Sequence, residues 1–330
     1  MMRWLVVMPY ARPGHMGMDF ADELRALGHT VDLFDYRRDN VLYKNKSTKV
    51  AYQRALNRAL ERRCRDARPD VVLVVKGGPL GADIIGRLKK ASGGVVVNFF
   101  PDNPLWMMPF EQIEPYDLFF TKERYALRQL ETIGLRNLYY LPMYCVPALH
   151  HPVPIGESDA AALRGVVALV GARYPYRERL VRELSEFPLR VWGPGWRDAD
   201  PSIALRVAGR FIDGPAKLAV YCGATLSLNP HHPMNDIVGV NTRTFELAAA
   251  GACQVVDDKD ELAPLFKPGD EVLAYRDLPE LRRHLAYHLA HPDEARAIGE
   301  NARRRALAEH TVRHRLQEMI AAMRDRLGKA

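Results

Sequence analysis

Residues 241–258 read NTRTFELAAAGACQVVDD. Their spacing predicts a short helix that runs into a buried strand. Asn241 and Thr242 are both suitable N-caps. The free amides of a first helical turn, together with the positive end of the helix dipole, make an anion site there. Arg243 adds a forked donor shaped for phosphate oxygens. Glu246, one turn deeper on roughly the same face, supplies an acceptor pair of the kind that grips two neighbouring sugar hydroxyls. The alanines and Gly251 let the helix pack close to a sheet. Phosphate donors and a sugar acceptor on one helix end point to a nucleotide-sugar site. The same i, i+3 spacing also suits a plain surface ion pair, worth a few tenths of a kcal/mol.

Outward from this stretch, strands alternate with helices along the whole chain. In the first half RWLVVMP, TVDLFDY, DVVLVVKGG, GVVVNFFPDNP, YDLFFT and LYYLPMY read as strands, separated by helices that include a long basic one over 48–66. Residues 145–165, with Pro147, Pro152 and Pro154 and no clear periodicity, read as a connection. The alternation then restarts with VVALVGA and ends in three helices over 278–290, 293–308 and 311–327. This pattern predicts an α/β chain of two tandem Rossmann-like domains, 1–150 and 151–330, facing a cleft. The last helix is a candidate to pack back on the first domain.

The 330 residues suffice for two domains. A hydrophobic fraction of 48% and a charged fraction of 26% are those of a soluble globular protein. No apolar run approaches the roughly 20 residues of a membrane span, and Pro9 and Arg12 interrupt any signal-peptide core at the start. The cysteines, Cys64, Cys145, Cys222 and Cys253, form no CxxC pair, which argues against a zinc knuckle or disulfide framework and suits the cytoplasm. The net charge of +7 hints at anionic ligands. Part of it lies in the basic loop 37–49, RRDNVLYKNKSTK, which is either a solvated loop or a surface for an anionic acceptor, DNA included.

The run from Asn241 to Leu316 resembles the donor-domain signature of GT-B glycosyltransferases, and most of all the spore-maturation CgeB-like group. It shows that group's R-x-F-E, small residues, glycine, and then a D-x-x-x-L-x-x-x-F-x-x-G-x-E stretch. VALVGARYPYRERLVREL and RVWGPGW resemble its strand, Gly, Arg-helix and G-x-G-W elements, and RPDVVLVVKGG and NFFPDNP its acceptor-domain strands. The likeness is strongest from 166 to 315 and weak before 68. It implies that Glu246 binds the donor ribose and that Arg243, with the amides around Asn241 and Thr242, clamps the diphosphate. It also implies that Gly171 and Arg173 lie on the phosphate loop, with Arg177 one turn into the next helix, and that Trp192 and Gly193, in the WGPGW loop, flank the base. Trp192 and Trp196 also suit a hydrophobic core. In related retaining enzymes a second glutamate precedes the ribose carboxylate; here that position is Val238, which leaves the stereochemistry open.

His232, just before the donor helix, is a candidate phosphate contact. In the first domain His15, within MPYARPGHMG, and Asp102, within FFPDNP, are alternative candidates for the base that deprotonates an acceptor hydroxyl. Asp102 equally suits an Asx-turn. Asp198 and Asp200 match a metal-binding D-x-D, but the tandem fold argues for arginine and helix amides in place of a metal. The expectation is therefore a metal-independent glycosyltransferase that needs no cofactor beyond its co-substrate, a sugar linked to UDP or another nucleoside diphosphate. Its acceptor is a small molecule or glycan in preference to DNA. A sugar-nucleotide epimerase and a non-catalytic nucleotide-binding module are the alternatives.

Overall fold

The computed structural model describes residues 1–37, 45–209 and 211–328. Most of the basic loop, residues 38–44, thus lies outside the described residues, and so does the reading of it as an acceptor surface. The chain divides into two units, one formed by 1–143, 233–239 and 312–330 and the other by 144–232 and 240–311.

The first unit carries six parallel strands: β1 (Arg3–Met8), β2 (Thr30–Asp35), β3 (Val71–Val75), β4 (Val95–Phe100), β5 (Leu118–Thr121) and β6 (Leu138–Tyr140), in the order β2-β1-β3-β4-β5-β6. Every residue of β3 and β4 is buried. Continuous apolar runs such as VVLVV are what a sheet covered on both faces requires. Chain order reverses between β1 and β3, and the register pairs Val7 with Val74 there. Loops leaving the carboxyl ends of strands at such a reversal frame the usual ligand crevice of open parallel sheets.

Two parts of this unit come from distant sequence. The helix Val312–Leu327 packs on the helix Met16–Ala26. Buried Arg315 donates through Nε to the carbonyls of Pro142 and Met143, both at 3.0 Å. The segment 233–239 is held by a buried polar set. Glu123 accepts from the backbone N–H groups of Ile237, Val238 and Gly239 at 2.9, 3.1 and 3.2 Å. Lys122 meets Asp236 at 2.5 Å with side chains only 2% and 3% exposed, and Asn103 donates to the carbonyl of Met234 at 2.9 Å. Removing either partner of so buried an ion pair strands a charge, a loss of about 3–5 kcal/mol. Nothing in the sequence pattern pointed to this excursion.

The second unit holds β7 (Val167–Val170), β8 (Leu189–Trp192), β9 (Val207–Gly209), β10 (Leu226–Asn229), β11 (Gln254–Asp257) and β12 (Leu273–Tyr275), ordered β12-β11-β10-β7-β8-β9 and all parallel. The sequence pattern missed β9. Side chains alternate between the two faces as a strand's period of two demands: Val167 and Leu169 enter one core cluster, Ala168 and Val170 the other. Chain order reverses between β7 and β10. The junction with the first unit falls at Met143/Tyr144 instead of 150/151, because Cys145 bridges to Thr311 and His150 reaches Glu246, both in the second unit. The proline-rich connection also contains a helix, Glu157–Leu163.

Candidate functional site

The crevice of the second unit lies at the carboxyl ends of β7 and β10, where its strand order reverses. The helix Thr242–Ala249 opens onto it. Asn241 is its N-cap, the side chain accepting from the amide of Thr244 at 3.0 Å. Beneath this end lies Asn229, fully buried at the tip of β10. Its Nδ2 donates to Thr244 Oγ1 at 3.1 Å and to Gln254 Oε1 at 3.2 Å, while its Oδ1 accepts from Asn241 Nδ2 at 3.1 Å and Arg243 Nη1 at 3.2 Å. A buried polar network with its members satisfied locks side-chain positions, so Arg243 is held on the crevice.

Gly171, first residue after β7, lies against that guanidinium. A Cβ built there would stand 2.7 Å from Arg243 Nη2 and 3.0 Å from Arg177 Nη1. Gly193 is under a harder constraint. Its φ is 144°, and a Cβ there would meet the carbonyl oxygen of Gly171 at 2.2 Å. Backbone is packed against backbone at this point, and only glycine fits.

Glu246 sits deeper, with its side chain 18% exposed. It does not pair with Arg243, so the simple surface ion pair is not what the structure contains. Its Oε2 meets Lys217 Nζ at 3.2 Å, and its Oε1 faces His150 Nε2 at 3.8 Å. Burial pushes its carboxyl up, but the charges of Lys217, His150 and Arg243 outweigh this and leave it below the ordinary value. His150 accepts through Nδ1 from the amide of Val146 at 3.0 Å, which leaves the proton on the nitrogen facing Glu246. Burial lowers its pKa, outweighing the opposing charge of Glu246, with the charge of Lys217 adding to the fall. Lys217 and His150 were not anticipated; a lysine in a helix and a histidine in a connection carry no local pattern.

Arg177 is buried and braces the loops, donating to the carbonyls of Ala172 and Pro230 at 3.0 and 3.1 Å. Arg173 pairs through Nε with Glu178 at 2.5 Å. Trp192 is buried in a core cluster, and Trp196, buried too, donates through its indole nitrogen to Gly171 O at 2.8 Å. His232 stands edge-on to Tyr174 and Tyr176, with centroids 5.0 and 5.7 Å away. Asp200 caps the turn that follows it and takes Arg182 at 3.3 Å.

Next to His232, the buried His231 escaped the sequence reading. Its amide and Nδ1 both reach Asp257 Oδ1, at 2.7 and 2.8 Å, and Nε2 is buried with no partner among the described residues. Burial pushes Asp257 up, but the bonds and charge of His231 prevail and bring it down to about 2. In the first unit, His15 accepts from Arg12 Nε at 2.8 Å through Nε2, and Asp102 holds Lys76 at 2.7 Å. Among the described residues no three His, Cys, Asp or Glu side chains gather as a metal site would require.

Residues 173–321 match the family model described as glycosyl transferase-like. No curated protein sequence matches the chain. Solved structures do. Sucrose-phosphate synthase from Thermosynechococcus elongatus aligns with a TM-score of 0.74 over 99% of this chain and 100% of that one, at 15% identity. Anabaena Alr3699/HepE in complex with UDP aligns at 0.67 over 98% and 100%, at 13% identity. The lipopolysaccharide outer core galactosyltransferase WaaB aligns at 0.65 over 98% and 100%, also at 13% identity. The fold is that of the GT-B glycosyltransferases. The segment matched by the family model holds the helix of Arg243 and Glu246.

Proposed function

We propose that the protein moves a sugar from a nucleoside-diphosphate sugar to a small-molecule or glycan acceptor, with the donor bound in the second unit. The carrying observation is the arrangement at the β7/β10 crevice. Arg243, on the first turn of the helix and fixed by Asn229, lies against Gly171, while Glu246 lies one turn further along the same helix. Diphosphate oxygens fit the first group and the ribose diol fits Glu246. The solved complexes of HepE with UDP and with UDP-glucose support a uridine nucleotide as the first to try.

In transfer, the bond between the anomeric carbon and the diphosphate oxygen breaks and a bond to an acceptor oxygen forms. The acceptor's proton passes to a base, and negative charge builds on the leaving diphosphate. Arg243 and the helix amides meet that charge with donors already in place, the arrangement that lowers a barrier most. We assign them the role a divalent metal has elsewhere, so the reaction proceeds without one. For the base, Asp102 is favoured over His15: its carboxylate keeps a free oxygen beside Lys76, whereas the Nε2 lone pair of His15 is taken by Arg12. We also place the chain in the CgeB-like group, on the R-x-F-E helix and the glycine and acidic stretch that follows. A cytoplasmic setting agrees with four free cysteines.

The test is nucleoside-diphosphate release from a panel of nucleotide sugars, with acceptor mixtures and with EDTA. Acceptor-dependent release that survives EDTA is expected. Strict dependence on added Mg²⁺ or Mn²⁺ would refute the metal-free assignment, and free sugar-nucleotide isomers formed without acceptor would indicate an epimerase.

A further inference from the structure

Among the described residues, three non-glycine positions have a left-handed backbone: Tyr10 at φ 58°, Arg68 at 45° and Lys76 at 62°. Arg68 is the C-cap of the helix Lys46–Ala67, an ordinary place for that conformation. The other two have no such explanation. Both follow strands of the first unit at the reversal of strand order, Tyr10 two residues after β1 and Lys76 directly after β3.

Each costs about 1–2 kcal/mol, and each is held by surrounding bonds. Asp35 accepts from the amides of Tyr10, Ala11 and Arg37 at 3.1, 2.9 and 2.9 Å. The amide of Lys76 donates to Phe99 O at 3.0 Å, and Asn98 donates to the carbonyl of Lys76 at 3.1 Å. Strain kept in place this way gathers at ligand sites.

These backbones present positive charge. The guanidinium carbons of Arg12 and Arg37 lie 5.2 and 5.7 Å from the centroid of the Tyr10 ring. Arg12 spends Nε on His15, and among the described residues its terminal nitrogens meet no carboxylate. The nearby acid Asp35 has its oxygens directed at backbone amides. Asp102 takes one bond from Lys76, whose side chain is still 43% exposed. A fork stacked on an aromatic ring, with a lysine on the neighbouring loop, suits a planar or tetrahedral oxyanion.

We propose that the loops after β1 and β3 form an anion site, with Arg12 as its fork and Lys76 as its second cation, and that it takes a carboxylate or phosphate group of the acceptor. The assignment to an acceptor rests on the proposed function; the anion site itself does not.

The test separates the two. In an Arg243→Gln background, which disables the donor clamp, inorganic phosphate and acetate are titrated by calorimetry at constant ionic strength. Arg12→Gln and Lys76→Asn are then added singly; asparagine tolerates the left-handed backbone of position 76. Saturable binding is expected, weakened about tenfold or more by either change. Preference for phosphate marks a phosphorylated acceptor, and comparable binding of acetate marks a carboxylate. Binding of neither anion, or binding indifferent to both substitutions, overturns the site. Nucleotide-sugar titration of the wild type reports on the donor site alone, so its failure is read independently.

Discussion

Gly171→Ala is a one-methyl probe of the crevice. The new Cβ would lie 2.7 Å from Arg243 Nη2, 3.0 Å from Arg177 Nη1 and 3.3 Å from Arg243 Cζ. Nothing in the backbone is struck, and side-chain ends can give way. Arg177 is buried and anchored on two carbonyls, whereas Arg243 lies at the crevice end of its helix and rests on side-chain partners, so Arg243 moves. Restoring ordinary contact takes roughly 0.7 Å, and a misplacement of about 1 Å costs on the order of a hundredfold in rate. The expected result is a roughly tenfold fall in kcat/KM for the nucleotide sugar, with a thermal midpoint close to wild type. Gly193→Ala is the contrasting control: its Cβ meets a carbonyl oxygen at 2.2 Å, so that variant should lose folding stability itself. The assay is nucleoside-diphosphate release, read beside thermal unfolding. Wild-type kinetics in a folded Gly171→Ala protein would refute the placement of the diphosphate against Arg243.

Other predictions follow from the same crevice. Glu246→Gln removes a charged acceptor and should weaken nucleotide binding by about 1.5–3 kcal/mol, ten- to a hundredfold in Kd; an unchanged calorimetric Kd would take Glu246 out of the site. Arg243→Ala should lower kcat more than it raises the donor KM, with lysine restoring activity only in part; a wild-type kcat would contradict this. Asp257, whose carboxyl is brought from 3.8 down to about 2, contributes stability that is complete above its ordinary value and lost as pH falls through the folded one. Urea unfolding should show wild type losing about 1 kcal/mol between pH 6 and pH 3 through this group, and Asp257→Asn lacking that component. Equal pH dependence in both proteins would rule it out.

The α/β alternation was legible because strands buried on both faces leave unbroken apolar runs, as in VVLVV and GVVVNFF. The donor helix was legible too. A polar N-cap, an arginine and a glutamate ahead of small residues are a local pattern, and local patterns survive in sequence. The partners of those residues were not legible. Asn229, Lys217 and His150 reach the helix from a strand tip, another helix and a connection, through contacts that only the fold creates. Arg173 and Arg177 look alike in sequence, yet one is half-buried and pairs with Glu178 while the other is buried beneath carbonyls. The strand β9 is three residues long, too short for a periodicity to show. The excursion of 233–239 into the first unit depends on buried charges such as Lys122 and Glu123, which read in sequence as ordinary surface residues.

The central claim is that the β7/β10 crevice binds a nucleoside-diphosphate sugar through Arg243. Thermal unfolding of wild type and Arg243→Ala against a panel of nucleotide sugars tests it most directly. At a hundred times its Kd a ligand that binds only the folded protein stabilises by about 2.7 kcal/mol. The account predicts that at least one nucleotide sugar raises the wild-type midpoint accordingly and that Arg243→Ala loses most of that shift at the same concentration. A panel with no stabilising member, or an equal shift in both proteins, would contradict it.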